Sequence, residues 1–215
     1  MRTPATTKKE VVAAFRTREI LAAARRLMEQ QGVDTLTMEE IAQAAGLAKG
    51  TLYLYFQSKD DLIQALLSQV AEAIIADLEA ILAKPDSPKE KLRQVVVLLL
   101  NYAEQESPLF PLYLRELVRL KSGKDTPFTS FQELEERIQG LISRIFADGI
   151  AQRQFIPADP RLLTFLLKGI LRAVGYYSMS QEQRNINQET LPVVLILLFS
   201  GIILPPAMAQ EESVI

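Results

Sequence analysis

The sequence contains no histidine and no cysteine. Without cysteine there is no disulfide framework, no thiol nucleophile and no thiol redox sensor. Without either residue there is no Cys/His zinc site, no haem held by histidine and no Ser-His-Asp triad. An enzyme built on this chain would have to work with carboxylates, Lys, Arg, Tyr and Ser. An excess of positive charge is missing too: 24 Lys and Arg stand against 26 Asp and Glu, so no basic coat covers the chain. No stretch alternates apolar and polar residues over a strand length, and no Asn-Gly or Asp-Gly hairpin turn separates β-branched runs. The opening MRTPATTKKE lacks the apolar run of a signal peptide. The expected location is the cytoplasm, a reducing compartment in which an absence of cysteine fits.

What is present is helical periodicity. The chain has 215 residues, 48% apolar and 23% charged, enough for one large domain or a small one joined to a medium one. Apolar residues recur at spacings of three and four, as in Leu92, Val95, Val96, Leu99 and Tyr102, or Leu134, Ile138, Leu141, Ile142 and Ile145. Prolines fall between such segments. The pattern predicts about nine helices, over 8–31, 38–44, 48–55, 59–83, 88–105, 109–121, 128–154, 160–180 and 187–204, with a flexible loop at 121–127. Charge is split mildly: residues 1–60 carry a net +2, so a polyanion would meet this part first.

The sharpest local signal lies in residues 34–62, DTLTMEEIAQAAGLAKGTLYLYFQSKDDL. Thr37 followed three residues later by Glu40 is a capping box, with Leu36 and Ile41 as a hydrophobic staple across the same helix start. Gly46 stops that helix by taking a left-handed conformation. Ala42, Gly46 and Leu52 then have the spacing a helix-turn-helix requires: a small residue at the crossing, a glycine in the turn, a branched residue holding the second helix to the first. A plain helical hairpin with a capping box is the bland alternative. Box, staple, turn glycine and crossing alanine together favour DNA binding, with Lys49, Gly50, Thr51 and Tyr53 presented by the second helix. Ser58 caps the next helix.

Residues 18–66 resemble the DNA-binding domain of the tetracycline-repressor (TetR) family of bacterial regulators. The resemblance rests on Ala23-Ala24, Leu27, Gly32, Thr37, Ile41-Ala42, Ala45-Gly46, Lys49-Gly50-Thr51, Tyr53, Tyr55-Phe56 and Lys59. It implies an all-α fold in which a three-helix helix-turn-helix domain (14–74, motif about 37–56) joins through a long helix to a ligand-binding and dimerisation domain (86–206). It implies a non-enzymatic, ligand-responsive homodimeric repressor of a palindromic double-stranded operator, with no metal or cofactor. Lys49 and Thr51 would read base edges, Gly50 would allow close approach, and Thr37, Tyr53, Tyr55 and Lys59 would hold phosphates. Ala48 departs from the family, which often has a capping Ser there; an alanine cannot cap, at a cost of about 1 kcal/mol. Phe56 reads as core. Arg2, Lys8 and Lys9 read either as a solvated tail or as a basic arm reaching a neighbouring groove.

Downstream, LPVVLILLFSGIIL (191–204) is apolar on every face. Its roughly fourteen helical residues span about 21 Å, short of the ~30 Å of a bilayer core, which excludes a membrane anchor. Residues 160–177 are also mostly apolar, with Gly169 and Gly175 permitting close approach. Two such helices from each of two subunits would make a four-helix bundle, with Phe165, Gly169, Arg172, Leu195, Leu198 and Phe199 at the interface. Tyr102, Phe110, Tyr113, Phe131, Phe165 and Tyr176 would line a pocket for a small apolar or aromatic effector, with Arg115, Glu116 and Arg172 as candidate polar contacts. Plain core packing accounts for each aromatic singly. Two other readings remain: a TetR-like protein that organises DNA or binds a partner without an effector, and a helical enzyme using carboxylates such as Glu104 and Glu106, or Glu133 and Glu136. An open cavity in the C-terminal core would favour the sensor; a fully packed one would favour the DNA organiser.

Overall fold

Side-chain caps set most of the helix starts. In the computed structural model, which describes residues 7–121, 129–179 and 186–202, Thr7 and Glu10 form one capping box and Thr37 and Glu40 another. Ser58 and Ser87 accept from the backbone N–H groups of Asp61 and Glu90. The first three helices are α1 (Lys8–Gln31), α2 (Met38–Ala44) and α3 (Lys49–Tyr53). Three more follow: α4 (Lys59–Ala83), α5 (Pro88–Gln105) and α6 (Phe110–Lys121). The last are α7 (Thr129–Ala151), α8 (Pro160–Met179) and α9 (Ile186–Ile202). There is no strand among the described residues, and the fold is all-α as the periodicity requires. The expected loop at 121–127 lies, after Lys121, outside the described residues, as do Arg2 and Pro205-Pro206.

Two apolar clusters organise the chain. The first gathers Ile20, Leu21, Ala24 and Met28 of α1 with Leu36, Ile41, Leu52 and Phe56, and takes Leu62, Ile63, Leu66 and Leu67 from the first half of α4. The second takes Ala71, Ile75, Leu78 and Ile81 from the other half of α4, and adds residues of α5, α7, α8 and α9. Helix α4 therefore belongs to both cores. Leu109 and Leu112 of the α6 region and Phe131 of α7 reach into the first cluster, so the two units share a packed boundary. Close helix approach is visible at Gly175: a Cβ there would meet the Phe110 ring from α6.

Apolar surface remains uncovered on α8 and α9. Leu162, Phe165, Leu166, Tyr176 and Tyr177 are exposed on α8, and Val193, Ile196 and Leu197 on α9. Val194 and Leu198 turn the other way, into the chain's own core. No helix of the described residues is long and apolar enough to cross a membrane.

Candidate nucleic-acid interface

The helix-turn-helix is built by local chemistry. Helix α2 ends in a Schellman closure: Leu47 N–H donates to the Ala42 carbonyl at 2.8 Å and Gly46 N–H to that of Gln43 at 3.1 Å. Gly46 has φ 66°, where a side chain would be strained. The chain reverses there and brings α3 across α2, with Ala42 and Leu52 both buried at the contact. Ala48, at the start of α3, makes no side-chain cap. Leu36, Ile41 and Phe56 are buried beneath the motif.

This packing leaves one face outward. Thr37, Lys49, Gly50 and Tyr53 are exposed; Thr51, Tyr55 and Lys59 are half-buried. The Thr37 hydroxyl is engaged locally, donating to Glu40 Oε2 at 2.8 Å. Lys49 Nζ pairs with the Glu39 carboxylate of α2. That hydrogen bond raises the ammonium pKa and lowers the carboxylate pKa from their ordinary values. Lys59 Nζ donates to the backbone carbonyls of Val33 at 2.7 Å and Asp34 at 3.3 Å, tying the start of α4 to the loop after α1. Lys59 is therefore a strut as well as a cation beside a helix N-terminus. Sequence reasoning missed Glu39 and Leu54. Glu39 holds the candidate base reader, and Leu54 stands 83% exposed at the end of α3. Lys8 and Lys9 are the first two residues of a capped helix rather than a loose tail.

Between the two apolar clusters lies a cavity of about 120 Å³, open on one side. Tyr102, Phe110, Tyr113 and Phe131 line it, with Leu67, Val70, Ala71 and Ile74 of α4 as one wall. Phe165 and Tyr176 are not in its lining; they lie on the outer face of α8, 52% and 67% exposed. Arg172, offered by the sequence both to the dimer interface and as a polar contact of the effector, lines the cavity, and its guanidinium also lies 5.8 Å from the Phe165 ring centroid. Gly169 and Leu195 are half-buried, as is Phe199. Leu198 packs inward at 2% exposure.

Polar groups in the cavity wall are held. The Tyr102 hydroxyl donates to Asp77 Oδ2 at 2.8 Å, and burial together with that bond pushes its pKa up to about 12. Burial likewise pushes the Tyr113 hydroxyl up. Lys168 Nζ donates to Glu135 Oε2 at 2.5 Å, both side chains being buried. Glu106, at the end of α5, pairs with Arg25 of α1. This ion pair links the cavity wall to the first helix of the helix-turn-helix unit. The carboxylates offered for an enzyme do not converge: Glu106 alone of the four lines the cavity.

A three-helix unit whose third helix, α3, faces outward, followed by a helical unit with a pocket at its boundary, defines a helix-turn-helix protein of the DNA-binding kind. Residues 20–66 match the family described as bacterial regulatory proteins, tetR family, and residues 85–176 match the tetracyclin repressor-like C-terminal domain. The chain belongs to the tetR family, a family of DNA-binding transcriptional regulators. It is 30% identical over 131 residues to the nucleoid occlusion factor SlmA of Vibrio vulnificus strain YJ016; the match covers 60% of this chain and 62% of SlmA. It is 27% identical over 188 residues to the HTH-type transcriptional repressor KstR2 of Mycolicibacterium smegmatis, covering 85% and 90% of the two chains. In fold it is similar to FadR of Bacillus subtilis, solved in complex with stearoyl-CoA, with a TM-score of 0.69 at 24% identity, covering 86% of this chain and 98% of that one.

Proposed function

We propose that this chain is a homodimeric repressor that binds a palindromic operator and leaves it when a small apolar effector enters the cavity. The observation that carries this reading is α4. One helix begins beside the outward face of the motif at Lys59, contributes to both apolar cores and forms a wall of the cavity. A ligand that moves the far half of α4 changes the separation of two recognition helices, which must match about one helical turn of DNA, ~34–36 Å. Residues 14–74 would be the DNA-binding unit and 86–206 the effector and dimer unit. Thr37, Tyr53, Tyr55 and Lys59 would hold phosphates, and Lys49, Gly50 and Thr51 would face the bases. The exposed apolar stripes of α8 and α9 are suited to a four-helix bundle between two copies, with Phe165 and Gly169 at its centre.

A second reading is a DNA-organising protein with no effector, favoured by the similarity to a nucleoid occlusion factor. The cavity weighs against it, since a protein with nothing to sense has no need of a void at that place. Footprinting on the DNA upstream of its own gene, with and without a panel of apolar compounds, separates the two. Protection of an inverted repeat that some compound removes is the expected result. Protection at many unrelated sites, indifferent to every compound, would favour the organiser.

A further inference from the structure

The cavity's polar groups are not spread evenly. Glu135 of α7, Lys168 and Arg172 of α8 and Tyr113 of α6 meet at one end. Lys168 and Arg172 stand one helical turn apart, and the Tyr113 hydroxyl feels the charges of both Glu135 and Arg172. The remaining charged group in the wall, Glu106, is matched by Arg25. Lys168 is paired with Glu135, and Arg172 adds a second cation to the same otherwise apolar wall. Glu116, buried on α6 outside the lining, has Arg115 at 3.6 Å.

Packing does not account for this arrangement. A buried ion pair rarely stabilises a fold over apolar residues of the same volume, because desolvation offsets the attraction. A second cation beside it raises the cost. An incoming anion would lower that cost, a neutral molecule would leave it unchanged, and a cation would add to it. Arginine's fork of donors suits a carboxylate held by two parallel bonds. Size narrows the choice further. A cavity of about 120 Å³ is near the roughly 150 Å³ that accepts benzene, and well below the roughly 300–1,000 Å³ of larger ligand sites.

We infer that the cavity binds a compact apolar carboxylic acid as its anion, the carboxylate held by Arg172 and Lys168 and the apolar body lying against Ile74, Leu99 and Ile138. This rests on the effector reading above and deepens it. A single ring or a short branched chain fits within the pocket itself.

The test is calorimetric titration of the full chain with ring and branched-chain acids of about six to ten carbons, each paired with its primary amide. Each pair is also added to operator complexes. Acids should bind at least about tenfold more tightly than their amides, a difference of ~1.4 kcal/mol. Arg172→Gln should bring the ratio to about threefold or less while thermal unfolding and affinity for the amides stay near those of the parent. Tyr113→Phe serves in its place if that variant unfolds early. Amides that bind and release the operator as well as the acids, or binding confined to stearoyl-CoA, would overturn the acid assignment and leave the effector reading standing. No binding by any of these compounds would likewise overturn the acid assignment, while the footprinting above tests the effector reading by itself.

Discussion

Lys49 is held by a partner it must give up. Its ammonium is paired with Glu39 across the α2–α3 crossing, and a base edge or phosphate can take it only by displacing that carboxylate. Glu39 also places a negative charge where DNA would approach. Glu39→Gln should therefore tighten operator binding several-fold at low salt and shrink in effect at high salt, read by fluorescence anisotropy across a salt series. Unchanged affinity at every salt would show that the pair stays intact on DNA. Lys49→Ala and Tyr53→Phe should differ in kind. The first should cost ~1–3 kcal/mol and relax one base position; the second should weaken all operators alike. Selection from a random pool showing an unaltered base preference for Lys49→Ala would remove that residue from the readers. Lys49 itself was legible from its position after the turn glycine. Glu39 was not legible as its partner, because that contact depends on how two helices cross and not on their spacing in sequence.

At the scale of elements, caps and periodicity located the helices, because both are local. Thr37 and Glu40, or Ser58 and Asp61, sit within one turn of each other and mark a helix start whatever lies around them. Helix α3 lacks such a mark at Ala48. Ala48→Ser should add about 1 kcal/mol to its stability, seen as slower amide hydrogen exchange over 49–53. An unchanged exchange rate would mean that packing through Leu52 alone fixes the helix. The facing of α9 was not legible. LPVVLILLFSGI is apolar at every step, so nothing in the pattern says which side turns inward. Leu198, expected at the dimer interface, is core, while Ile196 and Leu197 are exposed. Leu197→Asp should yield monomer with intact helicity, and Leu198→Asp should lower the melting temperature because it buries an unpaired charge. Sedimentation velocity and circular dichroism distinguish the two. A stable dimer from Leu197→Asp would place the interface elsewhere.

Across the whole molecule, the effector unit joins the DNA-binding unit through the continuous helix α4, the apolar boundary at Leu109, Leu112 and Phe131, and the Arg25–Glu106 pair at the cavity's edge. The first was legible as a long capped helix after the motif. The ion pair joins residues far apart in sequence, and only the folded chain brings them together. Likewise four of the expected pocket aromatics and Arg172 line the cavity, but Glu135 and Lys168 join them only through the packing of α7 against α8. If the pair transmits the signal, Glu106→Gln should leave unliganded operator affinity within about threefold while the ligand's effect on it falls toward none. Linkage demands that operator weaken ligand binding by the same factor, so both legs of the cycle are measurable. An undiminished ligand effect in Glu106→Gln would assign transmission to α4 and the apolar boundary instead. The central claim, that two copies read a palindrome at a spacing fixed by their bundle, is tested most directly by binding-site selection with the purified full chain. The enriched DNA is predicted to carry two inverted half-sites with centres ~34–36 Å apart, or a multiple of that, bound by a dimer. Enrichment of an unrepeated half-site, or of no sequence at all, would contradict it.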